Sequence, residues 1–449
     1  MWFRQLRIVR TSSGRTVHEA ILLPALSPLV IISVAILTLL AACSGDADGD
    51  TAPRTVTRDP SAEFVIEPGE PVIIGVSSAL TGSAGERGRQ YRNAVVVAVE
   101  EWKQLHGNTL GGHEIVVVAE DDGCTATDAA AHAARRHVER PGLAGVIGPQ
   151  CSAGAAAAIP IYEEAGVIAI SGSATSSTLT RGQTNRFFFR TAFRNDYQGV
   201  LSGAYASQFV EASTVWIVDD NEAYGLDLAQ SIADVLEQIG IGVSRSSIAQ
   251  GTVDFSALAA EIAAANPEMV SFAGFNPEAI LLLRQLRDAG WTGAYAAGDA
   301  VCGSAECEFL AALGDTAEGT AFSGCAIPTS AEFGATFEAV HGDEATASFV
   351  PQYVDAARIL LDALAIVAVE RTDGSLVIDP DTLRANIAAT TLSEGYSGTV
   401  QFDQNGDRTS VLLSASTPSV EDPETLTVLA RALGLAPCFV QDGELVYFD

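Results

Sequence analysis

The sequence predicts an α/β protein built as two doubly wound lobes. Three observations carry that expectation. With 449 residues the chain is too long for one hydrophobic core. Short, wholly apolar runs alternate with helix-favouring stretches, which is how parallel strands covered on both faces read. The alternation occurs twice, once from Pro71 to Arg190 and again beyond it, so two sheets are expected.

In the first series Val72–Val76 reads as a strand, Tyr91–His106 as a helix, Glu114–Glu120 as a strand and Asp128–Glu139 as a helix. Leu143–Ile147 is an apolar run closed by Gly148-Pro149. Ala153–Ala165 is Ala-rich and stops at Gly166, and Val167–Ile170 is a buried strand followed by Ser171-Gly172-Ser173-Ala174-Thr175. The second series reads as helix Gln198–Val210, strand Thr214–Val218, helix Leu226–Ile239, helix Phe255–Ala265, strand Met269–Ala273 and helix Pro277–Ala289. Strands Gly293–Ala297 and Gly319–Ser323 follow, then a long helix Tyr353–Arg371, a helix Leu383–Thr390 and a strand Gly398–Phe402. No short-period repeat is visible, which disfavours a solenoid. The insert Thr417–Pro437 receives no role.

The first residues set the compartment. Arg4, Arg7, Arg10 and Arg15 precede an apolar run, Ile21–Leu40, that ends in Leu40-Ala41-Ala42-Cys43. That is a secretory signal pattern, and Leu-Ala-Ala-Cys resembles the lipobox of bacterial lipoproteins. The resemblance implies a signal peptide over residues 1–42, with lipid on Cys43. The same run is long enough to be an uncleaved membrane anchor, and either reading puts the rest of the chain outside the cytoplasm. Residues 43–70, rich in Asp, Gly and Pro, read as a flexible tether.

Bulk charge and cysteines narrow the function. A formal net charge of −31 disfavours nucleic acid and anionic membrane surfaces as partners. Six cysteines besides Cys43, an even number in an exported chain, favour disulfides, and they lack the paired CxxC spacing of a zinc site. No P-loop, no Gly-x-Gly-x-x-Gly after a strand and no HExxH is present. Gln150-Cys151-Ser152-Ala153-Gly154 puts glutamine where a nucleophile elbow needs glycine, and the histidines lack a catalytic setting. No enzyme activity, cofactor or metal is therefore expected.

A binding cleft has more support. In doubly wound sheets ligands bind beyond the carboxyl ends of the strands. There the first series carries Ser152, Ser173 and Thr175, small hydroxyls beside free backbone N–H groups that suit a carboxylate. Core or helix-capping roles would also suit these residues. The second series carries Tyr224, Phe275 and Asp299, an aromatic pair and one carboxylate that suit an ammonium. Asp121-Asp122-Gly123-Cys124 and Cys151 end neighbouring strands, close enough for a disulfide.

In order and spacing, Ser-Ala-Leu-Thr-Gly (78–82), Asp-Asp-Gly-Cys (121–124), Gly-Pro-Gln-Cys-Ser (148–152), Ser-Gly-Ser-Ala-Thr (171–175), Tyr-Gly (224–225), Asp-Phe-Ser-Ala-Leu (254–258) and Phe-Asp-Gln-Asn-Gly-Asp (402–407) resemble the leucine/isoleucine/valine-binding type of ABC-importer substrate-binding proteins. The resemblance runs from about Val72 to Asp407. It implies a periplasmic-binding-protein-like type I fold with three hinge crossovers: an N-lobe of 71–193 and 326–403, a C-lobe of 194–325 and 404–449, and a ligand between them. It implies that Ser152, Ala174 and Thr175 hold a carboxylate, that Tyr224 and Asp299 face them with Asp299 on the α-amino group, and that Cys124 pairs with Cys151. Cys302 with Cys307, and Cys325 with Cys438, are further candidate pairs. Arg87 stands where many relatives place an aromatic, and either selects a polar or acidic side chain or points to solvent. Phe275-Asn276 and the short Asp299 also depart from the branched-chain pattern.

The expected function is that of an extracytoplasmic, lipid-anchored, monomeric binding component that captures an amino acid or related small carboxylate and delivers it to ABC permease subunits. A sensor of the same fold that signals through a membrane receptor is the alternative, with an exported hydrolase behind it. Ligand identity, transport against sensing, the remaining disulfide connectivity and the type of cell envelope are not legible in one sequence.

Overall fold

A computed structural model describes residues 56–301, 308–317, 320–323, 331–341, 345–409, 412–416, 436–441 and 444–447, all within one compact unit, Pro53–Asp449. The signal segment, Cys43, Cys302, Cys307, Cys325 and most of the 417–437 insert lie outside the described residues, as does the side chain of Cys438.

The first lobe contains β1 (Phe64–Ile66), β2 (Val72–Ser78), α1 (Gly85–His106), β3 (Thr109–Leu110), β4 (His113–Asp121), α2 (Thr127–Val138), β5 (Leu143–Ile147), α3 (Ser152–Ala165), β6 (Ala169–Ser171) and β7 (Phe188–Arg190). Six of these strands form one sheet in the order β3-β4-β2-β5-β6-β7, parallel except for β3. The apolar runs are continuous because both faces are buried. Val72, Ile74 and Val76 of β2 enter one core cluster and Ile73 the opposite one, as a period of two residues demands. Helix α2 buries Ala130, Ala133, Ala134 and His137, a single stripe at helical spacing.

The chain then builds the second lobe: α4 (Asn195–Ala204, continued by a π-helical turn to Phe209), β8 (Thr214–Asp219), α5 (Ala223–Gln238), β9 (Gly242–Ser247), α6 (Ser256–Ala265), β10 (Met269–Ala273), α7 (Asn276–Asp288), β11 (Ala294–Ala297), α8 (Glu308–Leu313) and β12 (Thr320–Ser323). Helices α9 (Ala331–His341) and α10 (Val350–Val367) return to pack on α1 of the first lobe. They are followed by β13 (Val369–Glu370), β14 (Leu376–Ile378), α11 (Pro380–Ala388), β15 (Thr391–Leu392) and β16 (Val400–Gln401). Finally β17 (Leu412–Ser416), β18 (Ala436–Gln441) and β19 (Glu444–Tyr447) extend the second sheet, whose order is β19-β18-β17-β12-β11-β10-β8-β9. Val215 and Ile217 of β8 point into one core cluster and Trp216 and Val218 into the other, so this sheet too is covered on both faces.

Several expectations need correction. The tether does not extend to residue 70. Phe64–Ile66 pairs antiparallel with Leu376–Ile378, Ile66 is fully buried, and Arg58 donates to the carbonyls of Val138 and Leu143. Its strand partner lies some three hundred residues away, beyond any local pattern. Helix α1 starts at Gly85, not Tyr91, because the two glycines and three charges of its first turn mask a helix that is needed there. A Cβ at Gly88 would sit 1.7 Å from the carbonyl oxygen of Ala79, so only glycine lets this turn lie against the end of β2. Helix α10 ends at Val367 rather than Arg371, because Val369–Glu370 pairs with Leu376–Val377. Edge strand β9, Gly-Val-Ser-Arg-Ser-Ser, was not anticipated, since its polar sequence lacks the apolar run by which the other strands were read.

Candidate functional site

The carboxyl ends of the two sheets face each other across a cleft. Its outer part is a mouth of about 930 Å³, and its inner end a cavity of about 40 Å³. Of the eight residues singled out in the sequence, the inner cavity gathers seven: Arg87, Ser152, Ser173, Thr175, Tyr224, Phe275 and Asp299. Ala174 lies behind it, fully buried. Its N–H is given to Ser171 Oγ and its carbonyl oxygen accepts from Arg190 Nη1, so neither backbone group is available to a ligand.

The first-lobe wall is a loop followed by a helix start. Cys151 caps α3 in an extended conformation, and Ser152 opens the helix. The first N–H groups of a helix have no partner within it and carry partial positive charge, which suits an anion. Ser152 Oγ accepts from the N–H of Ser176. Thr175, in the loop after β6, is nearly buried, and among the described residues neither its N–H nor its hydroxyl finds an acceptor. Ser173 is already occupied: its hydroxyl donates to the carbonyl of Gln150 at 2.7 Å and lies 3.0 Å from Tyr353 Oη. Its part is therefore to tie the two loops together rather than to hold a ligand through Oγ.

Behind that wall stands a polar frame. The Cys124–Cys151 disulfide is formed, with Cα atoms 4.9 Å apart. Buried Asp122 accepts from the N–H groups of Cys124 and Gln150 and from Ser77 Oγ. Burial pushes its carboxyl pKa up despite those bonds. Gln150 Oε1 in turn accepts from Ser78 Oγ and the N–H of Ala79. Arg190, fully buried, reaches from β7 to Ala174 O, Ser176 O, Thr180 Oγ1 and the carboxylate of Asp407, and thereby fixes the Thr175 loop.

The second-lobe wall centres on Asp299, 4% exposed. Its Oδ1 accepts from Gln198 Nε2 at 2.6 Å and from Tyr224 Oη at 2.8 Å, and its N–H donates to Gln198 Oε1 at 3.0 Å. Among the described residues Oδ2 accepts nothing. Burial raises the carboxyl pKa to about 6, against the lowering pull of the Tyr224 and Gln198 bonds and the Arg87 charge. Tyr224, in the first turn of α5, packs its ring 5.6 Å from that of Phe275. Burial and the Asp299 charge hold its phenol protonated, well above the usual range. A Cβ at Gly298 would come within 2.3 Å of Tyr224 Oη, so glycine there leaves room for the tyrosine to reach Asp299.

Sequence reasoning missed Gln198, Gln150 and the Tyr91–Tyr353 stack, whose ring centres are 4.3 Å apart. Gln198 sits inside a helix with no motif around it. Its bonding to Asn195 is local to α4, but its bonds to Asp299 and Ser323 exist only because α4 crosses the ends of β11 and β12. Tyr91 reads as one aromatic of a helical face and carries no signal that its ring will line a cavity.

Comparison with known proteins bears on the family and the fold. A family model described as periplasmic binding protein matches residues 71–412. A leucine-, isoleucine-, valine-, threonine- and alanine-binding protein of Pseudomonas aeruginosa is 28% identical over 75% of this chain and 87% of its own length. A Leu/Ile/Val-binding protein of Rhizobium johnstonii is 30% identical over 76% and 89%. An amino acid binding protein of Pseudomonas aeruginosa is 34% identical, but the match spans only 51% of this chain and 61% of that one. Among solved structures, a leucine binding protein LivK from Thermotoga maritima superposes with a TM-score of 0.67 at 25% identity, over 84% of this chain and 98% of that one.

Proposed function

The chain belongs to the periplasmic binding protein family, and from that premise we propose that it is the solute-binding component of an ABC importer, capturing an amino acid or related small carboxylate between its lobes. The observation that carries this reading is the pair of unsatisfied groups facing one cavity. Thr175 offers an N–H and a hydroxyl from the first lobe, beside the start of α3. Asp299 offers Oδ2 from the second. Donors on one wall and a carboxylate on the other match the two ends of a zwitterion. The amino-acid ligands named for several relatives point to the same class.

In this reading the carboxylate of the ligand meets the Ser152–Thr175 wall, and its ammonium meets Asp299. Tyr224 and Gln198 hold Asp299 in place, and Phe275 covers the ligand. Neither lobe alone supplies both ends, so ligand binding favours the closed arrangement by the contacts it gains there. The ligand leaves chemically unchanged, to permease subunits. Lipidation at Cys43 holds the protein outside the cytoplasmic membrane.

A thermal-shift screen of the oxidised protein against amino acids, their amides and short carboxylates tests this directly. A bound ligand at one hundred times its Kd stabilises the fold by about 2.7 kcal/mol. The expected outcome is a rise with one class of amino acid that Asp299→Asn abolishes. A rise confined to carboxylates without an amino group removes the role given to Asp299, and no rise with any compound defeats the reading. Absence of labelled fatty acid from the wild-type protein, or labelling undiminished in Cys43→Ala, would exclude the lipid anchor.

A further inference from the structure

We propose that the ligand is an α-amino acid with an acidic side chain, and that Arg87 is the residue that selects it. The inference rests on the amino-acid reading above and adds to it what the ligand carries beyond its zwitterionic end.

Arg87 lies in the first turn of α1, which the close approach of Gly88 to Ala79 holds against the end of β2. It is half-buried and, with Phe275 and Ala300, lines both the inner cavity and the mouth. A side chain leaving a zwitterion clamped in the cavity must therefore pass the guanidinium. The polar contact of Arg87 is one long donation, Nη1 to the carbonyl of Ala300 at 3.4 Å, and it forms no ion pair with any described carboxylate. Most other half-buried or buried arginines packed in or against the first lobe have two or more bonds or a counter-charge: Arg140 pairs with Glu120, Arg190 and Arg194 with Asp407, Arg92 donates twice to Asn93 Oδ1, and Arg58 and Arg408 donate to backbone carbonyls. A guanidinium that lobe closure dries further needs an acceptor, and an unpaired one is costly. Asp299 feels its charge but is bonded elsewhere, to Tyr224 and Gln198.

An acidic side chain completes the site. Its ammonium matches Asp299, its α-carboxylate the first-lobe wall and its second carboxylate Arg87, in the planar two-bond geometry arginine provides. An aliphatic side chain would cover the guanidinium and give it nothing. Length is bounded too. Glu86, Glu278 and Glu308 line the mouth but not the inner cavity, so a short acid meets Arg87 first, whereas a longer acid runs into like charge.

Isothermal titration with L-glutamate, L-aspartate, L-glutamine and L-leucine, on the wild type, Arg87→Leu and Arg87→Lys, decides the matter. In the wild type one of the two acids should bind at least tenfold tighter than leucine. Arg87→Leu should weaken that acid by thirtyfold or more without weakening leucine, and Arg87→Lys should keep the order of preference. Leucine or glutamine as the tightest wild-type ligand overturns the proposal, as does an equal loss of acid and leucine in Arg87→Leu. If leucine wins and Asp299→Asn abolishes its binding, the zwitterion clamp stands and only the role of Arg87 falls. If none of the four binds, the amino-acid reading falls, and this inference falls with it.

Discussion

Asp299 is held in place at an energetic cost to the unliganded protein. The carboxyl has a pKa near 3.8 in an unfolded chain and about 6 in the fold, so the folded state binds its proton more tightly. The stabilisation this gives is complete below about pH 4 and is lost as pH rises through 6. At higher pH the buried carboxylate costs up to about 3 kcal/mol. Asp299→Asn retains an oxygen that can accept from Tyr224 and Gln198, and removes the charge. The ligand-free variant should melt higher than wild type at pH 7.5 and nearly with it at pH 4, measured by calorimetry. The same variant should lose ligand affinity by a hundredfold or more. In the wild type a ligand ammonium favours the ionised carboxylate, so affinity should fall as pH drops below 6. Asp299 itself was legible in the sequence as a carboxylate after a strand. Its partner Gln198 was not, because no sequence pattern marks a helical glutamine that will meet a strand end more than a hundred residues on.

Elements position the site through a few fixed junctions. The Cys124–Cys151 bond ties the loop after β4 to the cap of α3, across 27 residues of chain. A loop of that length is worth about 3.5 kcal/mol in constrained unfolded-state entropy. Replacing both cysteines by serine should lower stability by about that much in denaturant titration, and should weaken ligand binding because Ser152 follows Cys151 directly. A second junction is Asp407, which forms a bridge with Arg190 and accepts from Arg190, Arg194 and Thr180. Burial alone would raise its pKa, but these partners hold it below the usual range. Asp407→Ala leaves Arg190 buried without a counter-charge, a change that typically costs about 3–5 kcal/mol. The expected outcome is a large drop in melting temperature together with loosening of the Ala174–Ser176 loop, which Arg190 also holds. The disulfide could be expected from two cysteines that follow successive strands of one sheet, although β2 lies between β4 and β5 and the two strands are not neighbours. The Arg190–Asp407 pair could not, since nothing in either local sequence shows that the residues meet.

At the scale of the whole molecule, the two lobes touch through a few contacts spread along the cleft. Near the crossovers Ser177 N–H donates to Asp227 Oδ2, and at the mouth Thr125 Oγ1 donates to Gln250 Oε1. Single hydrogen bonds of this kind contribute about 1 kcal/mol each, too little to hold two lobes shut against the freedom gained on opening. A ligand that bridges Thr175 and Asp299 adds charge-assisted bonds on both sides. Small-angle scattering should therefore show a smaller radius of gyration with saturating ligand than without. An unchanged radius would mean that the closed arrangement is already the resting state.

The sequence by itself determined the two doubly wound lobes and most of their strands, because a strand buried on both faces must be an unbroken apolar run. It also determined which strand ends bear the hydroxyls, aromatics and carboxylate, because the carboxyl ends of parallel strands are where such a sheet leaves room for a ligand. Only the tertiary structure decided which of those groups are free to bind. Ser173 and Ala174 are consumed by their neighbours, while among the described residues the N–H and hydroxyl of Thr175 and one oxygen of Asp299 are not, and Arg87 faces the cavity because a helix begins six residues earlier than its periodicity suggests. Whether a polar atom is satisfied depends largely on contacts between different elements, up to 180 residues apart for Ser173 and 101 for Asp299, and local pattern carries no record of them.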